Sequence, residues 1–407
     1  MRISTAHSFD SSIDNLQKRQ SEMSQSQMQL TSGKRVNLAS DDPIGAARAE
    51  RALASISRDD ANQRSLDASR NVMQLSESAI GDAVSLLQTA RESMVAAGNG
   101  SYTDKEREAL AIKLKNIRDQ ILSIANRSDG SGGFVFGGQG SATPPFLDTT
   151  SGVQFVGQGG QVQAAAGETL TLTVDGDQTW LKSKTGNGVY ETNPASTNTG
   201  AGWITAGVVT SPSALPYPAA PGSTPPQYAV AFTVTAGVTT YSVTKDGGGT
   251  TLTDVPYASG KAIVIDGMSF AVTGQPANAD NFTVDQSTND LSVFDAMDSA
   301  IKSLTTNNQG SGQVMQAVNR GLSNLDSILG NVGAARSAVG ESLNRMDSIE
   351  GRISASKLAA ETERSNAEDL DMVTAISKFQ NQQTGYDAAL KSYAMVQKLS
   401  LFQYING

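Results

Sequence analysis

Side chains able to do chemistry are few in this chain, and their spacing gives them no partners. His7 is the single histidine, so a histidine-rich metal site is excluded and a His-centred triad is not expected. The absence of cysteine removes disulfides, thiol nucleophiles and thiolate metal sites together. Two acidic pairs, Asp41-Asp42 and Asp59-Asp60, have the composition of general acid/base work. Adjacent helical residues point apart, however, and Asp42 sits directly before Pro43, where it is better used as a helix cap. Asp175-Gly176-Asp177 opens like a calcium loop but lacks the later ligands, so a turn is expected there. The glycines between Gly130 and Gly140 fit neither dinucleotide nor P-loop spacing, and no lysine follows to meet a phosphate. Asn126-Arg127-Ser128 and Asn281-Phe282-Thr283 match the glycosylation sequon only in letters, since no apolar leader precedes them. No catalytic, cofactor or metal residue is nominated, and an enzyme is not expected.

Chemistry being absent, the elements themselves carry the information. A net charge of −9 argues against nucleic acid, which needs a local cationic surplus. No apolar run is long enough to span a bilayer. The polar start Met1-Arg2-Ile3-Ser4-Thr5 predicts no cleavable secretory signal. Both ends are written in heptads. Leu16, Met23 and Leu30 recur every seven residues, with Ile13 in the companion position. Met372, Ile376, Phe379, Gln383, Tyr386, Leu390, Tyr393 and Gln397 alternate by four and three. Such a seam packs on another helix.

Between the ends, Asp42-Pro43 starts a helix that meets no breaker until about Ala97. Leu66, Met73, Ile80, Leu87 and Met94 form its seam, each followed three positions later by a small residue as far as Ala90. Thr103 and Glu106 form a capping box for the next helix, whose face is Leu110, Leu114, Ile117, Ile121 and Ile124. A third seam runs from Met315 through Val318, Leu322, Leu325, Leu329, Val332, Arg336, Val339, Leu343, Met346 and Glu350 to Ile353.

From residue 130 to about 290 the texture changes, with proline concentrated there and arginine missing between Arg127 and Arg320. Phe134-Val135-Phe136 and Val153-Gln154-Phe155-Val156 read as an exposed hairpin. Leu170–Val174, Tyr228–Val234, Val238–Val243, Ala262–Ile265 and Phe282–Val284 read as strands, with turns at Asp175-Gly176, Asp246-Gly247 and Asp266-Gly267. Residues 192–226 read as a long loop. The fold class is therefore α with a β insert: long antiparallel helices, paired terminal helices and an all-β middle. Residues 1–42 with 366–407 form a terminal helical domain, 43–140 with 286–365 a helical rod bearing a β-hairpin, and 141–285 the insert.

The inner seams are the private core of the rod. The end segments differ, being polar outside their seams, with Gln20, Gln27, Gln383 and Gln397 weakening them. They are expected to stay disordered in a free chain and to fold on assembly. A secreted coiled-coil adhesin or binding module, with the insert as its ligand-binding part, is the alternative class.

Motifs at both ends resemble the bacterial flagellin superfamily. Gly33, Arg35, Asn37, Asp41, Asp42 and Pro43, within Thr31–Pro43, match its N-terminal signature. Asp369-Leu370-Asp371, Gln382–Leu390 and Leu399–Ile405 are similar to the tail of its hook–filament junction branch. Ile265-Asp266-Gly267 with Gly274–Val284 resembles an element of hook-associated proteins. The resemblance implies a flagellin-like fold and a structural part in the flagellum outside the cell. It implies unfolded export through the flagellar type III apparatus, with a cytosolic chaperone covering the tail. It also implies contact with hook-associated protein 1, with flagellin and with about one helical turn of its own copies, with flagellin itself as the rival reading. The implied assembly residues are Ile13, Leu16, Met23 and Leu30 near one end, and Met372, Ile376, Phe379, Tyr386, Leu390, Tyr393, Leu401 and Phe402 near the other.

Overall fold

The computed structural model describes residues 5–405 apart from 140, 161–162, 166–168, 172, 247–248 and 308; the side chains of 5–9, 163–165, 169–171, 250 and 396–405 lie outside that description. Its helices are α1 (Thr5–Ser32), α2 (Pro43–Ala97), α3 (Asp104–Ala125), α4 (Gly176–Trp180), α5 (Val293–Thr305), α6 (Ser311–Glu368) and α7 (Met372–Ile405). The chain forms two compact units, Met1–Arg64 with Ser348–Gly407 and Ser65–Asp347, and α2 and α6 contribute residues to both. No described helix is long and apolar enough to cross a membrane.

In the larger unit the α2 seam is closed. Leu66, Ile80, Leu87 and Met94 are fully buried and Met73 almost so, and Ser69, Ser76, Ala83 and Ala90 are buried between them. Burial of each large side chain contributes about 1.5–3 kcal/mol. Ser76 satisfies its hydroxyl on the Val72 carbonyl at 2.7 Å, so the small polar residue costs little inside the seam. Helix α6 runs antiparallel to α2. Arg70 pairs with Asp347 at 2.6 Å and Arg91 with Asp326 at 2.6 Å. Arg336, a polar interruption of the α6 seam, donates to Glu77 with its Nε at 2.9 Å. Only one row of that seam is fully enclosed: Val318, Leu325, Val332, Val339 and Met346 are buried, whereas Met315, Leu322, Leu329 and Leu343 are half-buried.

Helix α3 begins on its capping box, Thr103 and Glu106 each bonding the other's backbone amide. It packs Leu114, Ile117 and Ile121 inward and lies against α5, whose Phe294 and Met297 are buried. The hairpin differs from the expected one. Its strands are β1 (Phe146–Thr149) and β2 (Gly152–Phe155). Phe134–Phe136 is not its other strand: Ser128 and Phe134 form a bridge, and Val135 and Phe136 are wholly buried. Arg118 of α3 ties the hairpin down, reaching Asp148 at 2.7 and 2.8 Å and Asp298 of α5 at 2.7 Å. The Asn126 side chain both donates to and accepts from the Phe146 backbone at 2.9 Å, so this sequon asparagine is already engaged.

The remaining strands are β3 (Gln163–Ala165), β4 (Thr169–Thr171), β5 (Tyr190–Pro194), β6 (Trp203–Ile204), β7 (Val208–Val209), β8 (Tyr228–Thr235), β9 (Val238–Lys245), β10 (Gly249–Pro256), β11 (Ala262–Ile265), β12 (Met268–Thr273) and β13 (Asn281–Gln286). One antiparallel sheet has the order β10-β9-β8-β13-β5; a second has β11-β12-β6, with β7 also on β12. Alternate residues Tyr228, Val230 and Phe232 of β8 and Met268, Phe270 and Val272 of β12 enter one shared core. The Asp266-Gly267 turn joins β11 to β12, both residues at positive φ (44° and 76°), which suits a two-residue hairpin. Two expectations need correction. Asp175-Gly176 is a helix start, Asp175 accepting from Gln178 N at 3.2 Å to cap α4. Residues 192–226 are not one loop, because β5, β6 and β7 recruit parts of them into the sheets. A polar stripe on α6 holds the preceding segment, 178–186, through backbone groups: Ser323 donates to Gly186 O at 3.1 Å, and Asn331 to Gln178 O at 2.9 Å.

Candidate assembly site

The signature loop and both terminal helices belong to the smaller unit, where the loop acts as a clasp. Gly33 closes α1, its amide bonding Gln29 O at 2.9 Å with φ at +70°, a conformation that favours glycine. Its carbonyl then accepts from Leu370 N at 3.0 Å, in the joint between α6 and α7. Arg35 binds the same joint: its amide donates to Glu368 O at 2.7 Å and its guanidinium to Ala367 O at 2.8 Å. The other arm of that guanidinium meets Asp42 at 3.1 Å. One side chain thus links the end of α6 to the start of α2, a task suited to the forked donor geometry of arginine.

The paired aspartates divide the remaining work. Asp41 accepts from the backbone amides of Asn37 (3.2 Å) and Leu38 (3.0 Å), fixing the loop. The Asn37 side chain donates to Lys34 O at 3.4 Å. Asp42 caps α2 by accepting from Gly45 N at 2.9 Å and Ile44 N at 3.2 Å, with Pro43 in the first helical position. The Gly45 amide and then Arg35 hold the Asp42 carboxyl below the usual carboxylate range, against an opposing effect of desolvation. Asp371 caps α7 in the same way. The Thr374 hydroxyl at 2.7 Å and then the Thr374 amide lower its pKa. Asp59 and Asp60 do not act together: Asp60 pairs with Lys357 at 2.7 Å, while Asp59 is buried.

The clasp also uses residues that the sequence did not single out. Gly45 is buried, and a Cβ there would lie 2.6 Å from Asp42 Oδ2 and 3.2 Å from Ala367 O. Glu368 takes Lys34 at 3.1 Å, and Gln29 donates to Arg35 O at 2.8 Å. A glycine in the first turn of a helix gives no sequence signal of such a close approach.

Helices α1 and α7 pack on each other in the single chain, which differs from the expected disorder because each supplies the other's missing face. Gly385 of α7 faces α1, with Arg19 Nη1 lying 2.7 Å from where a Cβ would stand. The seams are only partly closed. Ile13, Leu16, Met23 and Leu30 are half-buried, as are Phe379, Tyr386 and Tyr393. On α7 the companion positions Ile376 and Leu390 stay outside at 46% and 41%, as do Met372 at 44% and Val373 at 80% in the first turn. The side chains of Leu401 and Phe402, like that of His7, lie outside the described residues, although α7 and α1 run through these positions. Along α1 and the clasp runs an open polar cleft of about 1110 Å³, with Gln20, Gln27, Met28 and Leu38 in its walls.

This arrangement presents apolar rows beside a locked joint. Two family models match its flanks. The model for the bacterial flagellin N-terminal helical region matches residues 3–141, and that for the C-terminal helical region matches 322–405. The chain belongs to the flagellin superfamily. Within that superfamily it is similar to flagellar hook-associated protein 3 of Salmonella typhimurium, 32% identical over 198 residues, covering 47% of this chain and 57% of that protein. The Escherichia coli protein of the same name is 29% identical over 199 residues, with the same coverage. The alignments thus span little more than half the length of those relatives. Among solved structures, the flagellar junction protein FlgL of Legionella pneumophila is 26% identical, with a TM-score of 0.64 over 70% of this chain and 94% of that one. FlgL of Xanthomonas campestris is 25% identical, with a TM-score of 0.67 over 78% and 99%. Flagellin-like helical termini around a β-rich middle are the fold that these matches share with the chain.

Proposed function

We propose that the chain is a structural junction subunit of the bacterial flagellum, outside the cell, joining the hook to the flagellin filament. One face meets hook-associated protein 1, the other meets flagellin, and copies of the chain close a ring between them. The chain reaches this place unfolded through the flagellar type III apparatus, with a cytosolic chaperone covering its apolar tail. Residues 1–42 and 366–407 act as the assembly domain, 43–140 and 286–365 as the supporting helical domain, and 141–285 as the outward insert. The role is structural rather than catalytic, in keeping with the names of its relatives.

The observation that carries this reading is the exposed apolar set Met372, Ile376 and Leu390 on α7, on and beside a seam that α1 covers only by half. Solvent-exposed apolar side chains in register along one helix are expensive unless another surface covers them. Neighbouring subunits supply that surface. Similarity to a flagellin of Escherichia coli O127:H6, 29% identical over 188 residues, favours flagellin as the second reading. The two differ in what the purified chain does alone. At high concentration a flagellin grows long filaments, whereas a junction subunit stays monomeric until added hook-associated protein 1 receives it, and then seeds added flagellin. Long filaments from the chain alone would refute the junction role.

A further inference from the structure

Behind β5, within the larger unit, lies a cavity of about 260 Å³ that neither the seams nor the sheets account for. It is bounded by residues 194–202, by one face of α5 and by the first turns of α6. We infer that this cavity is a binding site for a small organic carboxylate.

The walls are held by dedicated contacts. Buried Asp280 accepts from the amides of Thr199 (2.9 Å), Gly200 (3.1 Å) and Ala277 (2.8 Å), pinning the 195–202 segment. Asn198 and Asn281 add a reciprocal pair, with both bonds at 2.8 Å. Glycine is required where this segment meets α6, since a Cβ on Gly312 would lie 2.4 Å from the Ala201 backbone. The cavity therefore has fixed walls.

Its donors are unspent. Gln316 is only 9% exposed and uses its carbonyl oxygen to accept from Ile204 N at 2.8 Å. That bond orients the amide and leaves Nε2 without a partner among the described residues, on a side chain that lines the cavity. Arg320 stands at the exposed side and bonds only Asn193 Oδ1, leaving further guanidinium N–H groups free. Asn324 and Ser299 add an amide and a hydroxyl. Among the lining residues there is no aspartate or glutamate, in a chain of net charge −9. Of the acids nearby, Asp280 is taken by its amides, and Glu191 lines an adjoining cleft that Gln316, Arg320 and Asn324 also border. The lining also has no aromatic ring, so recognition rests on hydrogen bonds. A planar carboxylate on a small hydroxyl- or amide-bearing body satisfies both the buried amide donor and the guanidinium fork.

The test is calorimetric titration of the full chain with galacturonate, glycerate and citrate, against the uncharged partners galactose and glycerol. Saturable binding of at least one carboxylate, with its neutral partner silent where one exists, is expected. Arg320→Gln removes an exposed charge, and Gln316→Glu keeps the acceptor for Ile204 while replacing the donor. Each should weaken binding by roughly tenfold or more, with the circular dichroism unchanged. If Gln316→Glu does not fold, the Arg320 variant alone decides. Failure of all three carboxylates to bind below about 10 mM, equal binding of the neutral partners, or full affinity in the folded variants overturns the assignment.

Discussion

Replacing Gly45 with alanine should loosen the clasp, against what helix propensity alone predicts. Within a helix the exchange ordinarily stabilises by about 0.8–1 kcal/mol, through reduced backbone entropy in the unfolded chain. At Gly45, however, the new Cβ would lie 3.2 Å from Ala367 O and closer still to the capping carboxylate of Asp42. Neither can yield freely, because the Ala367 carbonyl holds Arg35 at 2.8 Å and Asp42 holds the start of α2. Overpacking at such a contact costs about 1–3 kcal/mol, so the net effect of Gly45→Ala runs from near zero to a loss of about 2 kcal/mol. Gly351→Ala is the control. It lies in the same unit, also within a helix, with nothing within 4 Å of its added Cβ, and should show the ordinary gain. Hydrogen exchange read by mass spectrometry over 33–42 and 367–371 reports the clasp directly, since the amides of Arg35 and Leu370 cross it. Gly45→Ala should speed exchange there by up to about thirtyfold, while Gly351→Ala leaves it unchanged or slows it. Slower exchange in Gly45→Ala, equal to that in Gly351→Ala, would refute the close approach.

Other consequences are within reach of routine measurement. Arg118→Ala removes a buried guanidinium from Asp148 and Asp298, and should cost about 1–3 kcal/mol in thermal unfolding, because those aspartates can rehydrate; no change would show that hydrophobic contacts alone hold the hairpin. Thr103→Ala, by breaking the capping box of α3, should cost about 1 kcal/mol, with Thr103→Ser nearly neutral. Acid should open the clasp. The folded-state pKa values of Asp42 and Asp371 lie below that of an ordinary aspartate, so their contribution is present above the ordinary value and is lost as pH falls through the depressed ones. Exchange over 33–42 and 367–375, corrected for intrinsic rates, should therefore rise below about pH 4 in the parent and respond less in the Asp42→Asn, Asp371→Asn double variant; an equal response in both would contradict the assignment.

Local chemistry explains which parts of this molecule were legible in its sequence. Asp42-Pro43 and Thr103 with Glu106 announced their helix starts because capping needs only neighbours within one turn, and both starts stand where expected. The Leu66–Met94 seam was legible because one face repeats without exception, and it is fully enclosed. Elements paired across long separations were not. Strand β10 was not foreseen, its ladder with β9 being broken by register shifts at Thr250/Leu252 and Leu252/Val255. Strands β6 and β7 are two residues each and exist only because β12 pairs with them. At the candidate site, the resemblance to the family signature pointed to Arg35, Asp41 and Asp42 but not to Ala367, Glu368 or Gly45, whose part is to offer a carbonyl, a carboxylate or empty space. The heptads located the terminal seams, but their period could not say which row of α7 faces α1.

That unassigned row offers the most direct test. Ile376 and Leu390 are 46% and 41% exposed, so Ile376→Gln with Leu390→Gln should leave monomer stability within about 0.5 kcal/mol of the parent. Electron microscopy of hook-associated protein 1 and flagellin mixed with the chain then decides the matter. The account predicts that the folded double variant no longer joins the two, whereas joined assemblies at parental frequency would contradict the claim that this row is the surface of assembly.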